Sequence, residues 1–393
     1  MNVGIGISTS RIPLEAAQDA VTQARISLRS TTVDLAIVLS SIEFAHPAVL
    51  KTVLSLSGTS HLIGSSSLAV IHEKNIEKHA IAVLLFSFPE TIYFNAACVN
   101  EVSLKSGLRS GEELADKLLY GFKNIRRDLG LIFSDGLKAQ GSDLILGLQK
   151  KLGMSFPLAG ASASDNLAFK KTYQYYGEEA LSDSACAVLW AGKLNFGLGT
   201  KHGWKPLGKP RFATKASGNI IYEIDGKPAV NIYREYLSFE SARLKKDLKK
   251  ISILYPIGIF IPGEEEYLLR NTLAIENNGA LLCQGNIPEG SMVRLMIGTK
   301  VSCLEATQAA AQEAKNNLAG RKANFVLVFN SVSRYILLGR RSKEELTIIK
   351  EHFPDTPVLG IYTYGEQSPL ESVSYQGKTY FHNQSIIVLA AGG

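Results

Sequence analysis

NFVLVFNSVSR (Asn324 to Arg334), followed after a helical stretch by PVLGIYTYGE (Pro357 to Glu366), decides the fold. The core of the first segment, FVLVF, is almost wholly apolar, as in a strand buried on both faces beneath helices. The pattern recurs upstream as DLAIVLSSIEF with HLIGSSS (Asp34 to Ser67) and as DLGLIFSDG with PLAGASASD (Asp128 to Asp165). Each copy continues to another apolar strand: HAIAVLLF (His79 to Phe86), SACAVLW (Ser184 to Trp190) or HNQSIIVLA (His382 to Ala390). Polar loops thus fall at equivalent strand ends, where α/β sheets bind small molecules.

Each copy extends upstream by a strand and a helix. VGIGI (Val3 to Ile7) precedes a helix with Leu14, Ala17, Val21, Ala24 and Leu28 on one face. Tyr93 to Val99 precedes a helix that Ser110-Gly-Glu-Glu113 would open as a capping box, burying Leu114, Leu118, Phe122 and Ile125. Val293 to Ile297 precedes an Ala-rich helix opened by Ser302-Cys-Leu-Glu305. Second helices follow from Pro47, around Ile145, Leu148 and Leu152, and from Ser342-Lys-Glu-Glu345. The expectation is an α/β protein of repeated β-α-β-α-β-β units forming helix-covered mixed sheets.

The segment from Asn195 to Gly290 interrupts the repeat as a β-rich insertion. GLGTKHGWKPLGKP (Gly197 to Pro210) reads as a crossing loop from its Gly and Pro content. Ile220 to Ile224 alternates as a strand, Asp225-Gly226 is a hairpin turn, and Pro228 would start a helix using Val230, Tyr233 and Leu237. Short strands from Ile257 onward turn at Asn278-Gly279 and Pro288-Glu289-Gly290. Two domains are expected, residues 1–215 and 216–393.

The chain has 393 residues, 46% hydrophobic and 20% charged, which suits substantial globular cores. A net charge of +6 is too modest to imply nucleic acid. RLKKDLKK (Arg243 to Lys250) reads as a solvated helix face in preference to a phosphate-binding patch, without the interleaved aromatics of a base-stacking platform. No apolar run approaches the ~18 residues of a membrane span, and the first residues lack the pattern of a secretory signal. Cys98, Cys186, Cys283 and Cys303 are scattered, which points to reduced, buried thiols and a cytoplasmic location.

The later motifs resemble the FIST family. They are Gly218-Asn219-x-x-Tyr222-Glu223-x-Asp225-Gly226-x-Pro228-Ala229-x-x-x-Tyr233, Pro262-Gly263 through Arg270, Ile287-Pro-Glu-Gly290, Gly360-x-Tyr362-Thr363-Tyr364-Gly365-Glu366 and Phe381-His382-Asn383-Gln384. The N-terminal half matches through IGSSS and PLAGASASD. The resemblance implies an N-terminal and a C-terminal FIST part that together bind a small ligand, an amino acid or related metabolite. It also implies signalling to a separate protein such as a histidine kinase, since both parts fill the chain. Some members are described as haem-dependent gas sensors. The loop Asn330 to Arg334 lacks a cysteine associated with the family there.

Candidate ligand contacts follow from the loops. Tyr362, Tyr364 and Glu366 could hold an amine, or form a turn with Glu366 paired to an Arg. Arg334 or Arg270 could bind a carboxylate. Ser66, Ser162 and Asp165 sit in small hydroxyl loops that could wrap a ligand or only allow tight packing. His382 and Asn383 could contact a polar ligand, with His382 the candidate for haem ligation. No metal cluster is evident, and haem has no direct support in the residues. Enzyme motifs fail: there is no G-x-S-x-G, VGIGISTS has Thr9 where a dinucleotide fingerprint needs glycine, and Gly377-Lys378-Thr379 has Ser372 in place of a phosphate loop's first glycine. The alternative to a sensor is an enzyme using Glu366, Asp165 or His382 as acid or base.

Overall fold

The computed structural model describes all residues except 123–124, 139, 238–240 and 371–377, and no side chains at 241–243 and 245. The side chain of Arg243 in the basic run, and Ser372 and Gly377 of the rejected phosphate loop, lie outside the described residues.

The three copies fold alike. The central strands Leu35–Ser41, Arg127–Ser134 and Phe325–Ser331 run parallel to Leu62–Ser67, Leu158–Ser162 and Val358–Thr363. On their other side they pair antiparallel with Ile81–Ser87, Ser184–Gly192 and Ile386–Gly392. An outer strand completes each copy's own part: Asn2–Ser8, Ile92–Asn100 and Asn195–Lys201. The α/β, helix-covered mixed-sheet expectation therefore holds.

Each sheet is finished by a hairpin from another copy. The second copy gives Gln174–Tyr176 and Glu179–Leu181 to the first sheet. The third gives Gly365–Pro369 and Thr379–His382 to the second. The first gives Val70–His72 and Asn75–Glu77 to the third. The exchange is cyclic, so no sheet is complete without its neighbour.

Strand alternation explains the double burial. Leu35, Ile37 and Leu39, with Leu129, Leu131 and Phe133 and with Phe325, Leu327 and Phe329, meet in one cluster shared by all three sheets. The intervening Ala36 and Val38, Ile132, and Val326 and Val328 pack in separate clusters with each copy's helices. A Cβ at Gly64, Gly160 or Gly360 would overlap the carbonyl oxygen of Val38, Ile132 or Val328 on the neighbouring strand. The recurring glycine is thus a packing requirement of the parallel pair.

Several local expectations change. The outer strand of the third sheet is NFGLGTK (Asn195–Lys201), part of what read as a loop. Met292–Gly298 instead pairs with Trp204–Phe212 in a fourth sheet, which also holds Ile257–Ile259 and Leu268–Arg270. The insertion therefore enters between the third copy's outer strand and its helix Lys300–Asn317. It adds a fifth sheet and the helices Asn231–Leu237 and Ser241–Leu254, around its own core. Pro228 lies in a short strand before the first of these. Helix Gly107–Leu119 is capped by Ser106, and helix Lys300–Asn317 by a Thr299–Ser302 box, each a few residues before the expected start. The Ser342–His352 helix has no side-chain cap: Arg341 stands at the N-cap, Ser342 donates its hydroxyl to the Gly339 carbonyl, and Glu345 is turned inward to Arg334.

Cys98 and Cys186 lie directly opposite on antiparallel neighbours, with Cα atoms 4.1 Å apart, and form a disulfide. The expectation of four reduced thiols is corrected for this pair, which strand register, not sequence spacing, brings together. Cys283 and Cys303 are free and buried. Among the described residues no helix is long and apolar enough to cross a membrane.

Candidate functional site

The three loops that lead from each sheet into its neighbour meet and bond to one another. Ser66 donates its hydroxyl to the Ser164 carbonyl at 3.0 Å, and Ser164 donates to the Tyr362 carbonyl at 2.5 Å. Ser67 also donates to the Tyr362 carbonyl at 2.9 Å, and the Tyr364 N–H bonds the Ser162 carbonyl at 3.1 Å. Short hydroxyl residues are needed where three backbones converge and their polar groups must be satisfied without water.

Beside this junction lies a cavity of about 520 Å³. Its walls come from the strand ends of the second and third sheets and from the insertion above them. The second copy contributes the turn at Asp135 and the start of helix Gly141–Leu152; the third contributes Ser331, Ser333, Thr363 and Tyr364. The insertion contributes Lys249, Ser252, Asn271, Thr272 and Gln284.

Asp135 is buried and fully used: it accepts from the N–H groups of Leu137, Lys138 and Asp183, which shapes the turn. Asp165 does the same for the next loop, accepting from the N–H groups of Phe169, Lys170 and Lys171, and from the Tyr364 hydroxyl at 2.5 Å. Burial alone would raise Asp165, but the Tyr364 hydroxyl and these N–H groups outweigh it and hold the carboxyl below its usual range. The clamped loop sets Phe169 at φ 52 and stacks its ring on Tyr364, with centroids 4.8 Å apart. Lys249 reaches over the other side of this pair, its Nζ 4.6 Å from the Phe169 ring.

Of the residues singled out from sequence, Ser162 and Tyr364 line the cavity. Asp165 positions Tyr364 from behind, and Ser66 belongs to the junction. Arg334 is fully buried elsewhere, bonded to Glu345 at 2.6 Å and to the Cys303 carbonyl. The Arg334–Glu366 pairing considered from sequence is replaced by Arg334–Glu345, because the third copy's second helix carries its own carboxylate to the guanidinium. Arg270 donates to the carbonyls of Asn286, Leu269 and Phe381, tying the insertion to the third copy's hairpin, and burial lowers it to about 10. Tyr362 is buried against Tyr335. Glu366 lies behind the cavity wall: Thr363, which lines it, donates to Glu366 at 2.6 Å, and the Ser385 N–H donates from the other side. Burial pushes Glu366 up to about 8. Asn383 accepts from the Asn271 N–H at 3.1 Å.

Haem does not fit these donors. No histidine is among the lining residues, and His382 is buried with Nε2 2.8 Å from the Ser368 carbonyl and Nδ1 3.5 Å from the Ser385 hydroxyl. Burial lowers it to about 4. Among the described residues no group of three or more His, Cys, Asp or Glu could hold a metal ion. The one thiol in the lining, Cys283, is pushed up to about 12 by burial, so it is protonated and a poor nucleophile.

Sequence reasoning missed Leu137, Phe169, Lys249, Asn271, Gln284 and Ser333. Asp135-Gly136 was a visible turn signal at a strand end. Of the insertion's contributions only Lys249 carried one, as part of the basic run Arg243 to Lys250; the others depend on where the insertion docks.

An uncharacterised protein of Methanocaldococcus jannaschii is 30% identical over 258 residues, covering 60% of this chain and 48% of its own length. An uncharacterised protein of Mycobacterium tuberculosis is 24% identical over 385 residues, covering 94% of this chain and 95% of its own. This chain thus spans about half the archaeal relative and nearly all of the mycobacterial one. Residues 34–227 match the FIST N domain and residues 229–369 the FIST C domain. With these two matches covering most of its length, the chain belongs to the FIST family of proposed sensory and signalling modules.

Proposed function

We propose that this protein is a sensory module that binds a small organic ligand, an amino acid or related metabolite, in the cavity between the second sheet, the third sheet and the insertion. The observation that carries this reading is the cavity's place: about 520 Å³ at the strand ends of two adjoining sheets, roofed by a separate layer. A ligand there touches the insertion and the repeats at once. Occupancy would therefore change how firmly the insertion is held, and that change is what a separate signalling protein, such as a histidine kinase, would read.

The alternative enzyme reading needs two titratable groups converging on a substrate position. Glu366, Asp165 and His382 all lie outside the cavity lining, each committed to protein partners. The geometry favours binding over acid–base chemistry. Thermal-shift screening of amino acids and small metabolites, followed by calorimetry, is the test. Binders should raise the melting temperature, and Ser333→Trp, which fills the cavity, should abolish the effect. A folded protein with no binder in a broad library, or binders indifferent to Ser333→Trp, would remove the proposal.

A further inference from the structure

Resting on that reading, we infer that the cavity's ligand is a planar aromatic or heteroaromatic molecule bearing one anionic group, not an aliphatic zwitterion. Three features of the lining converge on this class.

Most of the inner wall is polar and uncharged. That part is made of Ser162, Ser252, Thr272, Ser331, Ser333 and Thr363, with the amides of Asn271 and Gln284. Among the described residues, four charged ones also line the cavity: Lys138 and Lys249, which are exposed, and Asp135 and Asp143, whose carboxylates already accept hydrogen bonds. Asp135 holds its turn, Asp143 accepts from the Asn286 amide at 2.7 Å, and Arg270 is spent on carbonyls. Arg334 and Glu366 lie outside the lining. An ammonium set against this wall would meet carboxylates that already hold backbone or amide hydrogen bonds and would compete with those donors for them. A ring whose edge offers hydrogen-bond donors and acceptors suits it.

The second feature is apolar and flat. Phe169 is stacked on Tyr364 at an interplanar angle of 12°, and Phe381 also lines the cavity. Leu137, Leu273 and Ile336 line it too, exposed to 38%, 54% and 43%, and they come from the second copy, the insertion and the third copy. A planar ring can cover these side chains.

The third is charge at the mouth. Lys138 and Lys249 are exposed lining residues, and neither makes an ion pair with a carboxylate among the described residues. Lys249 places a cation over the Phe169 ring. An anionic substituent on a stacked ring would meet it there, carboxylate and phosphate alike.

Calorimetry with matched probes tests this. The anions are nicotinate, indole-3-acetate and 4-nitrophenyl phosphate. Their uncharged counterparts are nicotinamide and indole-3-acetamide, and the zwitterions are leucine and arginine. At least one anionic ring should bind about fivefold or more tightly than its amide, the scale of one partly exposed ion pair. Whether the carboxylates or the phosphate bind best separates the two sources of charge. Added salt and Lys249→Met, at an exposed position, should each erode that preference. Phe169→Ala should weaken all ring probes about fivefold. Tighter binding of leucine or arginine, lost in Ser333→Trp, would overturn the ligand class while leaving the cavity a binding site. Equal affinity for anions and amides would also overturn it. If no probe of any class binds the folded protein, the anionic-ring ligand is overturned, and the cavity reading falls only if the broad library also yields no binder.

Discussion

The first copy's strand end and those of the second and third begin from the same pattern and finish differently. Ser40, Ser134 and Asn330 occupy equivalent register positions, opposite Ser66, Ser162 and Tyr362. In the first copy the following loop turns Phe44 inward, where it is fully buried in one cluster with Tyr175, whose hydroxyl lies 2.8 Å from that of Ser40. In the second and third copies Leu137 and Ile336 stay exposed at the cavity, under the insertion. Repetition alone makes equivalent ends. Which ends become a site is decided by an added layer that stands over two of them, while the remaining end is filled with side chains.

The sharpest way to break that contrast is to truncate the apolar residue at each end. Phe44→Ala should cost about 3–5 kcal/mol, as for a buried ring removed from a packed cluster, and leave ligand binding unchanged. Leu137→Ala should move stability by only about 0.5 kcal/mol and weaken binding. Urea denaturation paired with calorimetry separates the two. Equal stability losses would mean that the second copy's end is packed shut as well.

Glu345→Gln asks whether the third copy's charge serves the cavity or the fold. Removing the carboxylate strands a buried guanidinium, and a broken buried pair costs about 3–5 kcal/mol. Part of that loss is offset here, because Arg334 keeps the Cys303 carbonyl and the Thr307 hydroxyl at 2.7 and 2.8 Å. The expected result is a lower urea midpoint with ligand affinity intact. Lost affinity at unchanged stability would return Arg334 to the binding site.

The fold was legible where residue pattern and backbone need coincide. The central strands and the glycines Gly64, Gly160 and Gly360 recur because every copy needs them. NFGLGTK was misread because its glycines were taken as turn formers. In fact Gly199, like Gly6 in NVGIGIS, lets a helix pack so closely that a Cβ would overlap a carbonyl of Ala310 or Ala20. The shared G-x-G spacing of those two segments was the available signal. The cavity was less legible. Polar residues at strand ends were visible, but the cyclic hairpin exchange consumes Ser66 and Ser164 in backbone bonding. Lys249, Asn271 and Gln284 reach the cavity only through docking of the insertion, a long-range contact that local pattern does not encode.

A pH effect distinguishes the third end from the first. The Ser40 hydroxyl bonds the neutral Tyr175, whereas Thr363 at the third end is backed by Glu366. Burial raises Glu366 to about 8 in the folded protein, against ~4.3 for an exposed glutamate. Between those values the unfolded chain releases this proton and the folded chain keeps it. Its contribution to stability is therefore complete below ~4.3 and lost as pH rises through about 8. Glu366→Gln keeps the shape of the protonated carboxyl and cannot ionise. It should leave stability near pH 5 almost unchanged and flatten the decline towards pH 8, read as urea midpoints at the two pH values for both proteins. A decline of the same slope in Glu366→Gln would mean that the third end is as electrically silent as the first, and that the contrast between the ends is one of packing alone.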